Sequence, residues 1–166
     1  MIINVFCSLY AAKTNDRYIM RPYENGQLYF ILPFEIPSQS PKEKALEADI
    51  TYPTASDSVT MNMSVKSMIE LSVDSFVFEG NHRVVIRDYE PFFVEPEGKL
   101  WLHRFSLRFP LNDLMQLFRG GAPLKIVVCT QKDKIEYGWT EKEWKKEQEW
   151  MNKILHIIDN NRKILN

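Results

Sequence analysis

The chain has 166 residues, 45% of them hydrophobic and 26% charged, with a formal net charge of -1. The hydrophobic share excludes a disordered chain, and the near-zero charge argues against wholesale coating of nucleic acid or of an anionic membrane. The length suits a single domain over 1–166, and no run approaches the ~18–20 apolar residues of a membrane-spanning helix.

Residues 2–10 are apolar, β-branched and aromatic, and predict a first strand. No basic leader precedes them, and Asn4, Ser8 and Tyr10 interrupt the run. The segment therefore reads as a strand rather than a signal peptide, and the expected location is the cytoplasm. Cys7 and Cys129 lie too far apart in sequence for a clustered metal site, and two cysteines are too few for a disulfide framework. Both are expected to be reduced, buried and structurally apolar.

Strand-like runs from Tyr18 to Tyr23 and from Gln27 to Phe34 flank Glu24-Asn25-Gly26, a strong hairpin signal because Asn and Gly tolerate positive φ. Pro33, Pro37, Pro41 and Pro53 punctuate the next stretch, so 35–58 is expected to be a loop and short-helix insertion. Within it, Ser40-Pro41-Lys42-Glu43 has capping-box spacing and predicts a short helix over 41–48.

From Val59 the alternation is clean: Val59, Met61, Met63 and Val65 share one face, while Thr60, Asn62, Ser64 and Lys66 share the other. The phase continues through Ile69, Leu71 and Val73. A strand that long would outgrow the domain, so a bend is expected near Lys66-Ser67. Phe76 and Phe78 fall on the opposite parity, which predicts an extra residue near Asp74-Ser75.

A turn at Gly80-Asn81 leads to a strand from Arg83 to Tyr89. Pro91 and Pro96-Glu97-Gly98 read as a connection. Trp101, His103, Phe105, Leu107 and Phe109 then alternate with Leu102, Arg104, Ser106 and Arg108, which predicts a half-buried strand. Asn112 is placed to cap a short helix, Asp113 to Phe118, ending at Gly120-Gly121. Leu124 to Thr130 is a continuous apolar run and predicts a central strand; Ile135 to Gly138 predicts another. Thr140-Glu141-Lys142-Glu143 is a second capping box, opening an amphipathic helix over 140–165. The fold class is therefore mainly β: an antiparallel sandwich or partly open barrel of about eight strands, with a long C-terminal helix and one or two short helices.

The motifs of nucleotide binding, zinc proteases, α/β-hydrolases and redox dithiols are all missing, and no cofactor or metal is predicted. His103 lies on an apolar strand face, where histidine is ordinarily a core residue with one hydrogen-bond partner. An enzyme would pair it with Asp88, Glu90 or Glu95. Arg83 and Arg87 share one face of their strand, and Arg104 and Arg108 one face of theirs. Were the strands neighbours, four guanidinium groups would gather for an anionic partner, with Tyr89 as a stacking surface.

Three readings are open. A non-catalytic binding or assembly module, with a protein partner or self-association, comes first. A β-barrel for a small apolar or aromatic ligand comes second, and an enzyme built on His103 third. Nucleic acid is disfavoured by the net charge.

Overall fold

A computed structural model describes residues 17–24 and 26–165. The first predicted strand, 2–10, and Cys7 lie outside the described residues. Among the described residues, ten strands and two helices run in the order β1 (Tyr18–Tyr23), β2 (Gly26–Ile36), β3 (Leu46–Pro53), β4 (Ser58–Ser67), β5 (Val73–Glu79), β6 (Arg83–Ile86), β7 (Tyr89–Glu97), β8 (Leu100–Pro110), α1 (Leu111–Arg119), β9 (Lys125–Thr130), β10 (Lys134–Gly138) and α2 (Glu141–Leu165). They form a six-stranded sheet, β1-β2-β3-β4-β8-β7, and a four-stranded sheet, β10-β9-β5-β6, antiparallel throughout. The arrangement is sandwich-like and is not a closed barrel.

The two cleanest alternations in the sequence turn out to be partners. β4 and β8 pair over their full length, setting Val59 opposite Phe109, Met61 opposite Leu107, Met63 opposite Phe105 and Val65 opposite His103. All eight are buried on one face. Because the strand period is two, any one-residue slip would turn both apolar rows outward, so burial fixes the register.

That inner face is covered from two sides. The four-stranded sheet meets the β8 half, with Phe76 edge-on to Phe105 and to Tyr89, and Phe78 against Phe109. Helix α2 meets the β2 half through a chain of rings, Trp150–Phe34–Trp139–Trp144–Phe118, which also ties it to α1. The predicted capping box forms at its start: Glu143 N–H reaches Thr140 Oγ1 at 3.4 Å, and Thr140 N–H reaches the Glu143 carboxylate at 3.0 Å. The Thr140 hydroxyl also donates to that carboxylate at 2.7 Å, and this bond, with the one from the Thr140 N–H, holds the Glu143 carboxyl below its usual range.

Several expectations are corrected. The stretch 35–58 is no insertion, because it contains β3, paired between β2 and β4. Ser40-Pro41-Lys42-Glu43 closes a single turn, Glu43 N–H to Ser40 O at 3.2 Å, and no helix forms over 41–48. The reason is periodicity: Leu46, Ala48, Ile50 and Tyr52 alternate and are all buried, so the two-residue repeat prevails over the cap. Residues 91–97, expected as a connection, belong to the edge strand β7. An edge tolerates proline, since the missing N–H can face away from the ladder. The expected strand from Arg83 to Tyr89 divides at Arg87-Asp88, where the chain crosses from one sheet to the other. Helix α1 starts at Leu111 without a side-chain cap, and Leu111 N–H instead donates to Asp57 O at 2.9 Å.

The bend after Ser67 and the extra residue near Asp74-Ser75 are both present, the latter as a register shift against β9 between Val73 and Ser75.

Candidate functional site

His103 sits on the inner face of β8, opposite Val65 on β4 and Val94 on β7, and is wholly buried. Its ring lies parallel to Phe105. Nε2 is 3.3 Å from the Leu71 backbone N–H and 3.3 Å from Ser67 Oγ, while the Ser67 hydroxyl donates its proton to Ile69 O. Leu71 requires Nε2 to accept, whereas Ser67, its proton already committed, requires Nε2 to donate. One neutral tautomer cannot serve both, and Nδ1 has no partner among the described residues. Burial pushes the imidazole pKa below its usual value.

The carboxylates proposed to serve His103 do not reach it. Glu90 and Glu95 pair with Ser106 and Leu102, so they point to the outer face, while His103 points to the inner one. Asp88 lies in the link between sheets, and no carboxylate is a hydrogen-bond partner of the ring among the described residues.

The four arginines are not gathered on one face, because β6 and β8 belong to different sheets. Arg104 is engaged on the outer face of the large sheet, 2.5 Å from Asp49 and 2.7 Å from Ser64 Oγ. Arg108 is exposed and shares a hollow with Arg87, Asp88 and Asp113. Arg83 and Arg87 line a separate trough on the outer face of the small sheet. Tyr89 turns inward, packing on Phe76 and Phe105 and donating its hydroxyl to Val73 O.

Two features escape the sequence reading. At one end of the sandwich, the bend after β4 exposes Met68 and Ile69 at 62% and 68%. They border a cavity of about 530 Å³ that also takes in Leu71, Ser72, Thr130 and Ile135. Phe92, Phe93 and Val94 on the edge strand are exposed as well. In the sequence Ile69 continues the β4 alternation, and Phe92 to Val94 are hidden between prolines. The second feature is the trough itself, about 400 Å³, floored by Val77, Val85 and Val127. Cys129 lies in it half-exposed, on the solvent side of β9, which corrects the expectation of a buried thiol.

Among the described residues no group of His, Cys, Asp and Glu is placed to hold a metal ion, and no helix is long and apolar enough to cross a membrane. No family model matches the chain, and neither a curated protein nor a solved structure is similar to it.

Proposed function

We propose that the chain is a non-catalytic binding or assembly module that takes a protein partner, or a second copy, at the apolar end marked by Met68 and Ile69. The observation that carries this reading is their exposure beside a cavity of about 530 Å³. Large apolar side chains clustered around a hollow cost solubility, and such patches mark interaction sites. The rim is polar, with Glu43, Glu70, Lys132 and Asp133, as an interface rim usually is.

A photo-crosslinking residue in place of Met68 tests this in cells producing the full chain, with the same residue in place of Thr60 on the polar face as control. A discrete adduct at position 68, lost on adding Ile69→Asp, is the expected result, and its mass separates a second copy from a different protein. Equal background at both positions would sink the proposal.

The same cavity favours one second reading, a small apolar ligand, since its volume falls within the range of ligand pockets. Native mass spectrometry of the purified chain distinguishes it, by a bound small mass that Leu71→Glu removes.

A further inference from the structure

The outer face of the small sheet is built in three cross-strand rows. Arg83, Glu79 and Lys125 form the first, Val85, Val77, Val127 and Glu136 the second, and Ser75, Cys129 and Lys134 the third. Arg87, one residue past β6, completes the third row at its open end and lines the same trough. Val77 and Val127 are only 6% and 5% exposed although they face away from the other sheet, so the valine row forms a recessed floor.

Charge on this face is unevenly paired. Glu79 accepts from Arg83 at 3.4 Å and Glu136 from Lys125 at 2.6 Å. Arg87 and Lys134 have no carboxylate partner among the described residues. Four cations therefore stand against two carboxylates on one sheet face of a chain whose net charge is -1. Arg87 and Lys134 start about 14 Å apart, three strand spacings, which two long side chains can close around one anion. The Ser75 hydroxyl and Cys129 thiol lie between them.

We infer that this trough binds a small aliphatic carboxylate, its anionic end held by Arg87 and Lys134 and its hydrocarbon body laid on Val77, Val85 and Val127. A valine floor without a ring suits an aliphatic chain better than a planar base. The two rim carboxylates repel a polyanion such as nucleic acid but tolerate a single charge shared by two cations.

Hexanoate titrated into the isotope-labelled full chain is the test, read by amide shifts and by alkylation of Cys129, located by peptide mass. Saturable shifts confined to β5, β6, β9 and β10, with slowed alkylation, are expected. Arg87→Gln and Lys134→Gln, both at exposed positions, should each weaken binding about tenfold, the size of one lost charge-assisted hydrogen bond. The same spectra show whether each variant is folded. Affinity unchanged in both variants, or hexanol binding as well as hexanoate, would overturn the anionic anchor. Inorganic phosphate protecting Cys129 equally would overturn the aliphatic body, and shifts centred on Met68 and Ile69 would overturn the site.

Discussion

The backbone N–H of Leu71 donates to Nε2 of His103 across 3.3 Å, which ties the bend between β4 and β5 to the buried face of β8. The bond requires a neutral ring, and burial already lowers the imidazole pKa. A base whose folded pKa is depressed binds its proton more weakly in the folded state, so its contribution is complete above the unfolded value of about 6.5 and is lost as pH falls through the folded one. The urea midpoint should therefore be flat above about pH 6.5 and decline below it. In His103→Gln that decline should disappear; an equal slope in both proteins would refute the assignment.

Asp49 joins three strands on the outer face of the large sheet. It accepts from Asn62 Nδ2 at 2.7 Å and from Arg104 at 2.5 Å, and Arg104 also donates to Ser64 at 2.7 Å. Both charged side chains are mostly shielded, 19% and 25% exposed, so solvent screens the pair less than an open surface bridge. A double-mutant cycle of Asp49→Ala and Arg104→Ala should give a coupling of about 1 kcal/mol, with single losses of about 1–3 kcal/mol. Additive losses would mean that the bridge contributes nothing.

Local patterns and long-range pairing were not equally legible. The alternations of β4 and β8, the capping box at Thr140 and the bulge at Val73–Ser75 are short-range signals with one physical solution each, and they could be read directly. Whether β6 and β8 share a sheet depends on contacts far apart in sequence, so the arginine cluster was readable only as a condition, and the topology does not meet it. The valine floor was hidden for a related reason. Val127 sits in a continuous apolar run that reads as buried on both faces, and such a run does not say which residues face the partner sheet; the parity of Phe76 and Phe78 sets Val77 on the opposite face, but not beside Val127. Prolines concealed β3 and β7, because a strand tolerates them at its ends and edges.

Tyr137 and Trp144 should respond oppositely to simple truncation. Tyr137 is fully buried, and its hydroxyl has no partner among the described residues. Burial also pushes the phenol pKa up. Tyr137→Phe deletes only an unpaired polar atom, so stability should be unchanged or rise by about 1 kcal/mol. Trp144, on the buried side of α2, links Trp139 to Phe118 in the ring chain, and Trp144→Ala should cost about 3–5 kcal/mol by leaving a cavity. Urea denaturation of both variants checks the pair, and a marked loss in Tyr137→Phe would reveal a hydrogen bond to that hydroxyl.

Gly120 is required for space rather than for backbone conformation. Its φ of -75° and ψ of 156° suit any residue, but a Cβ there would lie 2.5 Å from Asn81 Cγ and 2.6 Å from Asn81 Cβ. Asn81 cannot yield cheaply, because its Oδ1 accepts the Ala122 N–H at 3.0 Å. Gln148 of α2 also donates to Phe118 O at 2.8 Å and to Gly120 O, so the contact joins the Gly80-Asn81 turn, α1 and α2. Gly120→Ala should cost about 1–3 kcal/mol through overpacking, and less in an Asn81→Gly background, where the clashing atoms are gone. At Gly121 a Cβ meets nothing within 4 Å, so Gly121→Ala should stay within about 0.5 kcal/mol of the parent. Equal effects at the two glycines would show that backbone freedom, and not the Asn81 contact, selects glycine at position 120.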